Sequence, residues 1–235
     1  SLQAVDEAVA TLVQTLEETG QLDNTYIFFL SDNGFHMGAH RMLSGKGMPY
    51  EEDIHLPLVV RGPGVRTNAV RDELATMIDM APTFAAIAGA QMTNSVDGRS
   101  LLPLLGIRWP GLDWRNSLLL EHYTAPSAEE NQALSESLEP PDPGDLQRET
   151  LAIQLPDYAG IRTTQYKYVQ RIGAARELYD LIKDPYELNN LWPLADPQFQ
   201  AELTALLESY QRCAGATCRS IEAQPAPEFR LIATP

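Results

Sequence analysis

The sequence predicts an α/β protein that carries a smaller antiparallel α+β part toward its C-terminal end. Three observations lead there. Helical and strand patterns alternate through the first ninety or so positions. A hairpin pattern followed by an amphipathic helix occupies the last third. Between them the composition shifts abruptly to proline, serine and acid.

The elements follow in order. Leu2, Val5, Val9, Leu12, Val13 and Leu16 recur at helical spacing, and Gly20 ends that helix. "TYIFFLS" (Thr25–Ser31) is β-branched and aromatic without polar alternation, the signature of a buried strand. "LPLVVRGPG" repeats it and closes in a turn at Gly62–Gly64. "IDMAPTFAAIAGA" (Ile78–Ala90) predicts a helix with Asp79 near its start and Pro82 in the first turn. Helix, strand, long loop, strand and helix together predict a layer with a mostly parallel sheet.

After "DGRSLLPLL" the character changes, with the boundary near Gly106–Gly111. Residues 1–108 then form the α/β part, and residues 109–235 the small α+β subdomain with an acidic loop at 124–150. "SLLLEHY" (Ser117–Tyr123) predicts a strand. "YAGIRTTQYKYVQRI" (Tyr158–Ile172) predicts a hairpin turning near Gln165, and "DPQFQAELTALLESYQRC" (Asp196–Cys213) a closing amphipathic helix.

Charge narrows the function. Seventeen basic residues against thirty-two acidic give a formal net charge of −15. Such a surface repels nucleic acid and anionic membranes, so neither is an expected partner. An anionic substrate needs a local positive site. No apolar run approaches the ~20 residues of a membrane span. The chain opens on an amphipathic helix with no secretory leader, and it is expected to be a portion of a longer protein. Cys213 and Cys218 favour a local disulfide over free thiols. The alternative, a zinc half-site, lacks a second Cys or His pair. A disulfide points to an exported protein, whether periplasmic, secreted or lysosomal.

The chemistry concentrates at the end of the first predicted strand, where "SDNG" places Asp32 and Asn33. Ligands of open α/β sheets sit beyond the carboxyl ends of strands. A carboxylate beside an amide carbonyl supplies hard oxygen donors suited to Ca²⁺ or Mg²⁺ more than to zinc. Taken alone, the same residues make an Asx-type turn with Gly34 at positive φ. Lys46 follows in a Gly-Lys-Gly turn, with His36 and His40 in the loop between.

Context decides between these readings. "SDNGFHMGAH", "GKGMPYEEDIHLPLVVRGPG", "DGRSLLPLL", "IRTTQYKYV" and "ELYDLIKDPYELNNL", in this order, resemble the sulfatase family of the alkaline-phosphatase-like superfamily. "LDNTYIFFLSDNG" and "CAGATCR" are most similar to its N-acetylglucosamine-6-sulfatase and heparan 6-O-endosulfatase branch. The resemblance implies the C-terminal part of an alkaline-phosphatase-like sulfatase fold. It further implies that Asp32 and Asn33 are two of the Ca²⁺ ligands and that Lys46 is a catalytic residue contacting the ester sulfate. The substrate would be a sulfated sugar, such as N-acetylglucosamine 6-sulfate, or an aryl sulfate. His40 is expected to line the substrate pocket, a loop-packing role being its alternative, and His36 is expected to be a second substrate-binding residue. Tyr50 and Glu51 are expected to tie the lysine loop to the sheet, His55 to be structural and Arg61 to anchor a turn. His122 ends a strand that could face the cleft.

Such enzymes use a formylglycine nucleophile made from the Cys or Ser of C/S-x-P/A-x-R, which is absent here. Cys213 and Cys218 both fail that pattern, and "SVDGR" from Ser95 has an aspartate in the third position. The remaining site, and the N-terminal half that brings it, are expected upstream, and this chain alone is expected to be inactive. A phosphonate or phosphate ester hydrolase of the same superfamily is the neighbouring enzymatic reading. A non-catalytic sugar-binding or scaffold derivative is the reading from another class.

Overall fold

The computed structural model describes residues 2–92, 96–106, 114–123 and 157–232. The acidic loop 124–150 and most of the predicted boundary lie outside the described residues.

Helix α1 (Leu2–Glu18) forms as its periodicity predicts, and Gly20 beyond it takes a positive φ. It buries none of its residues, so Leu2, Val5, Val9 and Leu12 form an exposed apolar stripe. Strands β1 (Ile27–Leu30) and β2 (Leu58–Arg61) flank the long loop. They pair with each other antiparallel, in the register Ile27↔Arg61 through Leu30↔Leu58. The expected parallel pairing is therefore corrected among the described residues. The intervening segment turns back on itself at a short helix, α2 (Glu51–Ile54), instead of crossing over a sheet face.

Helix α3 (Met80–Ile87) follows a 3₁₀ turn. Thr76 and Asp79 cap that 3₁₀ turn reciprocally, the Asp79 carboxylate accepting from Thr76 N at 2.9 Å. α3 packs on β1 through an edge-on contact of Phe84 with Phe28, ring centroids 5.1 Å apart. Met80, Leu101 and Leu104 complete this small core.

The larger core belongs to a four-stranded antiparallel sheet in the order β3-β4-β5-β6. Its strands are β3 (Ser117–His122), β4 (Tyr158–Thr163), β5 (Tyr166–Arg171) and β6 (Glu177–Asp180). The predicted hairpin turn near Gln165 is the β4–β5 turn, where Thr163 Oγ1 accepts from Tyr166 N at 2.9 Å. Helix α4 (Pro197–Tyr210) covers one face with Phe199, Leu203 and Leu207, packed on Ile161, Tyr168 and Leu178. Phe199 is fully buried and by itself contributes about 2–3 kcal/mol of apolar transfer. Asp196 caps α4 by accepting from Gln198 N and Phe199 N, and Pro197 takes the first-turn position that needs no amide donor. At the other end Tyr210 Oη donates to Ser117 O at 3.0 Å, fastening α4 to β3.

The Cys213–Cys218 disulfide forms as expected and leads into α5 (Ala216–Ala223). This helix joins the two parts of the molecule. Glu222 accepts from Arg99 at 2.6 Å and from Arg115 at 3.1 Å, and Arg115 reaches on to Asp79 at 2.5 Å.

Candidate functional site

β1 delivers Ser31, Asp32 and Asn33 to its carboxyl end. Asp32 is exposed, and its Oδ1 accepts from Asn33 N at 2.8 Å. Asn33 donates its side-chain NH₂ to Gly34 O at 2.9 Å, which leaves the amide oxygen as an acceptor. These are hard oxygen donors of the kind Ca²⁺ takes, and two fall short of its usual 6–8. Among the described residues no cluster of three or more His, Cys, Asp or Glu side chains converges to hold a metal ion.

Gly34 holds its place through proximity. Its φ is not in the left-handed region expected for an Asx turn, and the backbone of α2 instead crosses directly over it. A Cβ there would stand 1.9 Å from Glu52 O, and Gly34 N donates to Asp53 O at 2.8 Å. The strand end is thereby fastened to α2.

The lysine arm returns to the same helix. His36 and Gly45 form an isolated antiparallel bridge, His36 N donating to Gly45 O at 2.8 Å and Gly45 N to His36 O at 3.0 Å. Lys46 follows immediately and is half-buried. His36 is 1% exposed, with Nδ1 at 2.8 Å from Asp53 Oδ1. Asp53 is itself buried and also accepts from Met48 N at 2.8 Å. Expected to bind substrate, His36 is instead buried inside the loop and acts as its clasp, because its ring is turned inward to the Asp53 carboxylate. One acidic side chain closes both flanks of the Gly-Lys-Gly turn. Sequence reasoning passed over Asp53 because three consecutive acids at a helix start look like solvated charge.

His40 occupies an unusual position. Its φ is +53°, and Arg41 beside it is at +60°. Its ring stacks flat on Tyr50, centroids 3.8 Å apart at 11°. The Arg171 guanidinium carbon lies 5.5 Å from the centre of the same Tyr50 ring. Tyr50 Oη accepts from Arg171 at 3.0 Å and lies 3.4 Å from Glu177. Burial, reinforced by Glu177, pushes the Tyr50 phenol above its ordinary range. Tyr50 stays protonated at neutral pH as a donor.

Tyr50 and Glu51 tie the loop to the sheet, as the sequence suggested. Glu51 is held by Arg162 of β4 at 3.0 Å and Lys167 of β5 at 3.2 Å, and its amide donates to Glu187 at 2.7 Å. Burial pushes Glu51 up, but Arg162 and Lys167 outweigh it and hold the carboxyl below the usual range. His55 is largely exposed, 3.3 Å from Glu51. Arg61 donates to Leu22 O at 2.9 Å as an anchor. His122 stacks on Tyr158 at 5.6 Å at the edge of the sheet.

Comparison with known proteins defines the class first. The chain superposes on a structure solved in complex with its substrate D-glucosamine-2-N,6-O-disulfate, with a TM-score of 0.71 and 29% identity over 94% of this chain and 40% of that one. A phosphonate monoester hydrolase from Agrobacterium radiobacter superposes with a TM-score of 0.64 at 29% identity, over 88% of this chain and 38% of that one. The fold is that of the alkaline-phosphatase-like sulfatases. Residues 1–90 match the family model described as "Sulfatase". The N-acetylglucosamine-6-sulfatase of Bos taurus is 36% identical over 94% of this chain and 40% of its own length. The chain belongs to the sulfatase family, and it spans about 40% of the length of the curated relatives it matches.

Proposed function

We infer that the protein carrying these residues is a calcium-dependent sulfatase that hydrolyses sulfate esters of sugars, 6-sulfated N-acetylglucosamine being the best-supported substrate. The chain supplies the C-terminal part of its fold. The observation that carries this reading is the fastening of two chemically distinct arms to one helix. Asp32–Asn33 reach α2 through Gly34, and Lys46 reaches it through His36, Met48 and Asp53. The names of the relatives and the substrate in the superposed complex support the same conclusion.

In this reading Asp32 and Asn33 hold two positions of the Ca²⁺ shell, and the ion supplies Lewis-acid stabilisation of ester oxygens. The Lys46 ammonium contacts the sulfate and balances charge that develops on its oxygens. His40, held flat by Tyr50, faces the substrate, and His36 keeps the loop closed beneath it. The formylglycine nucleophile is supplied from outside residues 1–235, so these residues alone give background turnover. The disulfide supports an exported location.

The likeness to a phosphonate monoester hydrolase favours a second reading, in which the same cation and lysine serve a phosphonate ester. Product analysis separates the two. The full-length protein is assayed with N-acetylglucosamine 6-sulfate and with a phenylphosphonate ester, in calcium and in chelator. Sulfate release that requires calcium and disappears in Lys46→Ala and Asp32→Ala supports the sulfatase. Phosphonate turnover without sulfate release overturns it.

A further inference from the structure

Two cations face each other across the middle of the C-terminal sheet. Arg162 on β4 and Lys167 on β5 are direct register partners. Like charges placed opposite one another destabilise a ladder, and here Lys167 is fully buried, its side chain 0% exposed. Only acids brought from elsewhere make such a pair tolerable. Both come from outside the strands. Glu187 lies between β6 and α4, its Oε1 2.5 Å from Lys167 Nζ, an ion pair outside hydrogen-bond angles. The other is Glu51, the first residue of α2.

Glu187 carries a second signature. Its φ is +55°, a left-handed region that strains a non-glycine residue and persists only where the surroundings impose it. Its side chain is 0% exposed, and while Oε1 meets Lys167, Oε2 accepts the Glu51 amide at 2.7 Å. A strained, buried acid thus grips the first turn of α2 by its backbone, and Lys167 grips the same turn by its side chain.

Helix α2 is the piece to which both arms of the site are attached: Gly34 through Asp53 O, and the lysine loop through the Asp53 carboxylate. A four-residue helix has no stability of its own. Its position is set by what holds it. We propose that Lys167, together with Glu187, is a positioning residue of the active site, fixing α2 and through it the relative placement of Asp32–Asn33 and Lys46. Neither residue touches the substrate. The kinetic part of this proposal rests on the sulfatase reading.

The test uses the full-length protein and two readouts. The first is hydrogen exchange, in metal-free protein, at the amides of Gly34, His36 and Gly45, with Ile161 and Tyr168 as references inside the sheet. Lys167→Met is expected to speed exchange at the three loop amides about tenfold or more, with the sheet amides still protected. The second is steady-state turnover of N-acetylglucosamine 6-sulfate. There kcat is expected to fall about 100-fold with KM within threefold, as for a misplaced reacting group. Adding Glu187→Gln removes the opposite charge and keeps an acceptor for Glu51 N. The double variant is expected to regain most of both losses.

A folded Lys167→Met protein with wild-type exchange at Gly34, His36 and Gly45 overturns the proposal. So does a double variant no better than the single. Should Lys167→Met fail to fold, Glu187→Ala carries the same exchange expectation, and wild-type exchange there is equally fatal. Absence of sulfate release by the wild type would defeat the sulfatase reading alone, because the exchange experiment involves no turnover.

Discussion

Replacing Gly34 with alanine tests the geometry of the strand end most directly. The added Cβ would stand 1.9 Å from Glu52 O, 2.8 Å from Glu52 C and 2.9 Å from Asp53 Cα, all backbone atoms that no rotamer change moves aside. Relief therefore means separating β1 from α2. Forced overpacking of this kind costs about 1–3 kcal/mol, and loss of the Gly34 N to Asp53 O bond adds about 0.5–1.5 kcal/mol. The expected destabilisation is about 2–4 kcal/mol, concentrated at this junction. Separation carries Asp32 and Asn33 away from the lysine loop by roughly an ångström, a displacement that can cost about 100-fold in rate. The assay pairs calcium titration by calorimetry with kcat/KM on N-acetylglucosamine 6-sulfate in the full-length protein. On the calcium-dependent reading proposed above, Gly34→Ala should weaken calcium binding at least about tenfold, or 1.4 kcal/mol. A variant with wild-type calcium affinity and kcat/KM within twofold would show that the contact with α2 does not place the metal arm.

Two further outcomes follow from buried groups. Arg115→Met strips Asp79, 0% exposed, of a two-pronged partner at 2.5 and 2.7 Å. It should cost about 3–5 kcal/mol in urea denaturation, and adding Asp79→Asn should cost less than the sum of the two singles. Burial pushes the phenols of Tyr158 and Tyr210 up to about 12. Raised folded values mean that their contribution to stability is full below the unfolded phenol range near 10 and is lost as pH climbs toward 12. Absorbance at about 295 nm should therefore show these tyrosines titrating together with alkaline unfolding. Free ionisation near pH 10 in a still-folded protein would contradict their burial.

Much of the framework was legible because local signals act alone. The α4 cap needs only Asp196 and Pro197, the hairpin only its turn between two apolar strands, and the disulfide only two nearby cysteines. Strand direction was not legible. The apolar content of "TYIFFLS" and "LPLVVR" says that both strands are covered, and parallel and antiparallel pairing satisfy that equally. Lys167 was hidden for a related reason. In an alternating strand it would point to solvent, but Tyr166 through Val169 are all buried because β5 lies in the middle of a sheet covered on both faces. Only the partner acids, distant in sequence, reveal why a lysine is accepted there. The "DGR" segment was likewise opaque: Arg99 N donates to Asp79 and its guanidinium to Glu222, which makes it a brace between α3 and α5. At the site, the residue types at Asp32, Asn33 and Lys46 could be read directly, while the Asp53 clasp and the His40–Tyr50 stack depend on a loop path that no periodicity encodes.

The pairing of β3 with β4 has a practical corollary. His122 and Tyr158 lie opposite each other in the ladder, so the end of β3 and the start of β4 are adjacent at one point on the sheet. The entropy of joining two ends so placed changes by only about 0.6 kcal/mol for each doubling of the length of a flexible connection. Evolution, or an engineer, can thus trade this connection for one of different size and chemistry while the six-residue register beneath it stays intact. Grafting between family members is a natural way to vary what borders the sheet without rebuilding the scaffold that holds the reactive groups.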